Sequence, residues 1–318
     1  MRKEAVVLLN MGGPNNLQEV ELFLKNMFSD PNILTMKSAL LRKFVGTMIT
    51  FMRTEHSQEI YEQIGGKSPI VGHTKALVQR LQAKAGEGVI VDFAMRYTPP
   101  FADEVIERLN EADVDGIYLI PLYAQYSTTT TKSSLEDFYE RYAKMGKGAL
   151  LYEIKHFFEH PLFNRAVVED IKSTLGDSHA GEFHLIFSAH GLPQKIVDRG
   201  DVYQEHITRH VKILSELLAC ENIGFRSIEL AYQSKVGPMK WLEPSLDTKL
   251  RELEGKKVII YPIAFTIDNS ETDYELHMEY KEVADEMGFE DYRVVKCLNE
   301  SELFVDALYD IYTKMKMV

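Results

Sequence analysis

The chain has 318 residues, 45% of them hydrophobic, and a formal net charge of −12. That hydrophobic content excludes a disordered chain, and an acidic balance without clustered Lys and Arg excludes a nucleic-acid surface. Cys220 and Cys297 are the only two cysteines and lack a CxxC spacing, which excludes a disulfide framework or a thiolate cluster and suits a reducing cytoplasm.

A length prior of roughly 150 residues per domain predicts two domains. The start, MRKEAVVLLNMGGPNN, has a basic tip and a short apolar run with no cleavage site. No stretch reaches the roughly 18 apolar residues of a membrane span, so a cytoplasmic protein is expected, peripheral at most at the inner face of the membrane. Strand-like runs are predicted at Ala5–Asn10, Val89–Met95, Gly116–Leu122 and Leu150–Ile154. Four more follow at Phe183–Ala189, Ile228–Tyr232, Lys257–Ile263 and Tyr292–Cys297, with helical patterns such as Asn16–Phe28, Thr74–Ala85 and Ala102–Asn110 interspersed. Continuous Val, Ile and Leu runs alternating with helices predict an α/β fold with parallel sheets covered on both faces. The runs divide four and four, with a boundary near residues 156–162 that we place after residue 158.

Open α/β units bind ligands beyond the carboxyl ends of their strands, and a cleft between two such units is the expected site. Six loops are candidates. Asn10–Pro14, Arg96–Pro100 and Tyr123–Thr131 follow strands of the first half; His190–Pro193, Gln233–Trp241 and Asp268–Glu275 follow strands of the second. A neutral imidazole facing Asp268, Glu271 and Glu275 is equipped to take up protons and to hold a divalent cation.

Each feature also has a plain structural reading. Gly12 and Gly13 lack the GxGxxG spacing of a dinucleotide site and suit a tight turn. The hydroxyl-rich run after Tyr123, with Lys132 and Arg96 nearby, suits carboxylates on a large apolar ligand, yet it equally suits a solvated loop capping the helix near Leu135. Asp268 and Glu271 in D-x-x-E form a capping box, and Glu271, Glu275 and Glu279 recur at a spacing that also makes a solvated acidic face. His190 alone reads as a histidine satisfied by backbone hydrogen bonds, and His206 with His210 as a solvated helix face. Residues 36–54, MKSALLRKFVGTMITFMRT, are core packing or an adaptable lip that rests on a ligand or a membrane, followed by a glycine hinge in YEQIGGKSPI.

Together the motifs LNMGGP (9–14), YEQIGGKSPI (61–70), AMRY (94–97), QYSTTT (125–130), FSAHGLP (187–193), QSKVGPMKWLEP (233–244) and PIAFTIDNSETDYEL (262–276) resemble the ferrochelatases, in family order and over nearly the whole chain. The resemblance implies two Rossmann-like halves of the chelatase type, with a C-terminal helix at about 300–315 packing back on the first. It implies insertion of Fe²⁺ into protoporphyrin IX to form haem, with release of two protons. His190 falls on the family's invariant histidine and Glu271 on its essential glutamate; Asp268 and Glu275 continue the acidic row as metal ligands, on a helix that several members wind as a π-helix. Met11, Arg96, Tyr123, Ser127, Gln233, Ser234, Lys235, Trp241 and Phe265 fall on porphyrin-binding positions.

The QSKVGPM form resembles enzymes that use protoporphyrin IX rather than coproporphyrin III. Where many relatives read Asp-His-x-Glu, this chain has Asn269, which carries no proton at neutral pH. The end LYDIYTKMKMV has no cysteine, so no iron–sulfur cluster and no tightly bound cofactor is expected; Fe²⁺ is a substrate. The alternatives are another tetrapyrrole chelatase, acting on coproporphyrin III or inserting cobalt or nickel, and a non-catalytic porphyrin or haem carrier.

Overall fold

The computed structural model describes residues 3–235 and 239–317. Two compact units divide the chain, one of residues 1–156 with 300–318 and one of residues 157–299.

In the first unit, strands β1 (Glu4–Asn10), β2 (Val89–Met95), β3 (Gly116–Pro121) and β4 (Leu150–Glu153) form an all-parallel sheet in the order β2-β1-β3-β4. β1 and β3 are buried almost throughout, which is why they read as unbroken apolar runs rather than as alternating ones. Helices Ala102–Ala112 and Ser133–Met145 cover one face, where Val105, Ile106, Leu109, Leu135 and Phe138 join Val7, Leu9 and Leu119 in one core. Helix Ala39–Gln63 runs 25 residues, and Gly65 and Gly66, at φ 92° and 79°, turn the chain into helix Ile70–Ala85. The left-handed backbone is the reason glycine stands there. Helix Glu302–Met315 packs on Ile70–Ala85, where Lys84 pairs with Asp306 at 2.7 Å.

In the second unit, β5 (His184–His190), β6 (Ser227–Gln233), β7 (Lys257–Tyr261) and β8 (Asp291–Val294) repeat the pattern in the order β6-β5-β7-β8, again all parallel. Strand boundaries differ from the sequence reading by one to three residues. β5 runs one residue further, so that His190 is the last strand residue, paired in register with Gln233. β7 stops at Tyr261 because Pro262 has no N–H to give the ladder, and β8 ends at Val294 rather than Cys297. Among the described residues, no helix is long and apolar enough to cross a membrane.

In each sheet the first strand lies inside, with the second strand on one side and the third on the other. The connections after the first and third strands therefore diverge, which leaves a crevice at their carboxyl ends. In the second unit those two ends carry His190 and, ten residues beyond Tyr261, Glu271.

Candidate active site

His190 Nδ1 lies 2.6 Å from Oε2 of Glu271. The hydroxyl of Ser234, the residue after β6, reaches Oε2 of Glu271 at 3.0 Å and Oε2 of Glu275 at 2.6 Å. Gln233 donates from Nε2 to the same Glu275 oxygen at 3.3 Å, and its own Oε1 accepts from the buried Ser188 hydroxyl at 2.7 Å. Two strand ends and one helix thus meet in a single hydrogen-bonded chain.

The glutamates stand on a π-helix, Glu271–Glu279, in which the Thr272 carbonyl is met by His277 Nδ1 at 2.9 Å five residues on. Its start is held by Asn269: the Glu271 amide donates to Asn269 Oδ1 at 2.8 Å, and Thr272 Oγ1 accepts from the Asn269 amide at 2.9 Å. This corrects the capping box read from Asp268 and Glu271. The cap is one residue later, and Glu271 is released from it to face His190.

Burial works against charge on His190, but the carboxylates of Glu271 and Glu275 outweigh it and raise the imidazole above its ordinary value. Glu271 moves the other way: burial pushes it up, His190 and Ser234 pull it down, and the net is a lowered carboxyl. Glu275 is pushed up to about 7, first by burial and then by the charge of Glu271. Two carboxyl groups four residues apart are thereby driven toward different protonation states, the condition under which one accepts a proton while the other stays ionised.

Asp268 is placed elsewhere. Its Oδ1 accepts from the Cys297 amide at 3.0 Å and its Oδ2 from Asn299 Nδ2 at 2.7 Å, so it fastens the helix approach to the 297–299 loop. Among the described residues, no group of three or more His, Cys, Asp and Glu side chains is arranged to hold a metal ion.

Phe265 presents its ring edge-on to His190, with centroids 6.3 Å apart. Trp241 is buried beside Gly191, bridging to Pro193, while Leu242 N donates to Leu192 O at 2.9 Å; this strip pins the loop that leaves His190. Lys235 is exposed and pairs with Glu243 at 3.3 Å. The middle of the QSKVGPM motif, residues 236–238, lies outside the described residues.

In the first unit, Arg96 is held by three neighbours: Ser133 Oγ at 3.0 Å, Asp137 at 3.1 Å and the buried Asp30 at 3.3 Å. A cavity of about 390 Å³ lined in part by Arg96, Asp30, Asn26 and Arg141 opens beside it. Arg141 is paired with Asp103 and Asp137, so neither guanidinium lining that cavity lacks a counter-charge, and the cavity contains neither His190 nor Glu271. Lys132 pairs with Glu136 at 3.6 Å. Tyr123 and Ser127 are buried; the phenol is 3.1 Å from Ser134 Oγ, and Ser127 accepts from the Thr129 amide at 3.2 Å. The hydroxyl-rich run is a π-helical turn, Thr128–Lys132, leading directly into Ser133–Met145, rather than a solvated loop. Met11 packs against a cluster containing Phe23, Tyr61 and Tyr97.

Ser188 and Tyr203 were not anticipated. Ser188 had a signal, being a hydroxyl two residues before His190 in an otherwise apolar strand; Tyr203, which donates to the His190 carbonyl at 2.9 Å, had none.

The sequence model of the ferrochelatase family matches residues 3–316. The chain belongs to the ferrochelatase family. It is 64% identical over 316 residues to the ferrochelatase of Sulfurimonas denitrificans, covering 99% of this chain and 100% of that one. It is 53% identical to that of Nitratiruptor sp., covering 98% and 100%, and 45% identical to that of Helicobacter pylori strain P12, covering 99% and 94%. The family's reaction is a lyase reaction, iron insertion into a porphyrin to form haem. Among solved structures the fold resembles SirB from Bacillus subtilis with Fe³⁺ (TM-score 0.56, 10% identity, 98% and 95% covered). It also resembles CbiX (TM-score 0.53, 15% identity, 98% and 99% covered). Two four-stranded parallel sheets flanked by helices are thus a chelatase-type fold.

Proposed function

We propose that this ferrochelatase inserts Fe²⁺ into protoporphyrin IX, with His190 as the proton acceptor and Glu271 and Glu275 as the carboxylates that meet the cation and receive protons. The observation that carries the reading is the 2.6 Å contact between His190 Nδ1 and Glu271. A carboxylate at Nδ1 favours the tautomer with its proton there, leaving Nε2 as the basic nitrogen, and stabilises the imidazolium once a pyrrole proton has been taken. Metallation removes two such protons, and a row continuing to Glu275 offers the second acceptor. Carboxylates bind Fe²⁺ and release it readily, where thiolates would retain it.

The porphyrin contacts are proposed at Met11, Arg96, Tyr123, Ser127, Lys235, Trp241 and Phe265. Arg96 and Lys235, the two cations in that set, are both ion-paired. Asp268 is proposed as a support for the helix approach, and no tightly bound cofactor or iron–sulfur cluster is assigned. We further propose a cytoplasmic enzyme in peripheral contact with the membrane through residues 36–54, where Leu40, Phe44 and Phe51 are 83%, 67% and 85% exposed.

Anaerobic mixing of the protein with Fe²⁺ and either protoporphyrin IX or coproporphyrin III, followed by absorption, tests the activity and the substrate together. His190→Ala is expected to lower turnover by roughly 10²- to 10⁴-fold while porphyrin still quenches protein fluorescence at similar concentrations. Wild-type-like turnover in that variant would sink the assignment of the base.

A further inference from the structure

Ser234 adopts φ 65°, a left-handed conformation that costs an L-residue free energy and is retained where surrounding contacts demand it. What it gains there is visible: its hydroxyl lies within hydrogen-bond distance of Oε2 of Glu271 and Oε2 of Glu275 at once. A hydroxyl carries one proton and can donate to one carboxylate at a time. Each glutamate has a second partner, His190 for Glu271 and Gln233 for Glu275, so among the described residues the serine is the group shared by both. The residue before it holds the backbone in place: Gln233 is the last residue of β6, and its carbonyl accepts from the Gly191 amide at 2.9 Å. The serine is therefore set from the same strand pair that sets His190, while the glutamates come from a separate helix.

We propose that Ser234 is a positioning residue for metal delivery, holding Glu271 and Glu275 as a preset pair, and not a porphyrin contact as its place in the family motif suggests. The inference rests on the ferrochelatase reading above. Without the hydroxyl, the two carboxyl groups lose their common hydrogen-bond partner, and the arriving cation has to assemble the pair itself. The loss falls on metal binding, because the porphyrin has no part in the bridge.

The test is steady-state metal insertion, with Zn²⁺ and with Fe²⁺, by the wild-type enzyme, Ser234→Ala and Ser234→Gly. Both variants remove the hydroxyl, and glycine accepts the left-handed backbone without the strain that alanine carries there. The expected result is a metal KM raised about tenfold to a hundredfold in both variants, the range of one hydrogen bond to a charged group, with the porphyrin KM within about twofold of wild type. A metal KM unchanged in Ser234→Gly, or a porphyrin KM that rises as much as the metal KM, overturns the proposal. A wild-type enzyme that metallates no porphyrin overturns instead the reading on which it rests, so the two failures are distinct.

Discussion

Glu275 shows how one carboxyl couples the site to pH. Its folded value near 7 lies above its ordinary 4.5, so the folded chain keeps a proton that the unfolded chain has already lost. The stability this group contributes is complete below about pH 4 and is lost as pH rises through about 7. Glu275→Gln is expected to flatten that decline in urea midpoints measured between pH 5 and 8. In the same interval, metal insertion by the wild type should rise as Glu275 ionises and becomes able to meet a cation, and the limb near pH 7 should be missing in the glutamine variant. A limb that persists unchanged would assign it to another group.

At the level of elements, the ends of β5 and β6 are joined tightly enough that glycine is required between them. A Cβ on Gly191 would stand 2.7 Å from the Gln233 carbonyl oxygen and 3.4 Å from Trp241. Gly191→Ala should therefore push the strand ends apart, costing about 1–3 kcal/mol by thermal or urea unfolding, and should impair metal insertion as well because Ser234 moves with Gln233. Helix Ala39–Gln63 tests the opposite situation. Leu40, Phe44, Met48 and Phe51 share one exposed face at helical spacing, so they contribute little to the fold. The pair Phe44→Asp and Phe51→Asp is expected to abolish sedimentation with phospholipid vesicles while leaving stability within about 0.5 kcal/mol. Equal sedimentation of the variant and wild type would remove the membrane contact from this helix.

For the molecule as a whole, acid sensitivity has a named source. His210 is fully buried, donates from Nε2 a 2.8 Å hydrogen bond to Asn164 Oδ1, and is held down at about 3 by burial. A depressed histidine contributes stability that is present above its ordinary value near 6.5 and is lost as pH falls toward about 3, since only the unfolded chain takes the proton. Each pH unit in that window costs about 1.4 kcal/mol from this one group. Its slope runs against that of Glu275, so the two contributions cancel between about pH 4.5 and 6.5, and the His210 loss stands alone below about 4.5. Replacing the imidazole, as in His210→Gln, should reduce the loss between pH 6 and 4 in urea unfolding; an unaltered loss would place the acid sensitivity elsewhere. His206 and His210, which read as a solvated helix face, are corrected in part here, because His210 packs against Phe158 and Phe163 in the core of the second unit.

Apolar periodicity alone was enough to locate all eight strands and the parallel class, because strands buried on both faces leave a run of Val, Ile and Leu that no surface segment tolerates. The same runs pointed to His190 and Glu271, since a polar group at the carboxyl end of such a strand has few structural reasons to be there. Side-chain pairing was beyond reach of the linear order. That Glu271 faces His190 while Asp268 turns to Asn299, that Arg96 is neutralised by Asp30 and Asp137, and that Ser234 serves two glutamates all depend on hydrogen bonds across 31 to 81 residues. A hydrogen bond requires its partners within about 3 Å at a suitable angle, and only the packed sheet and helices supply that alignment.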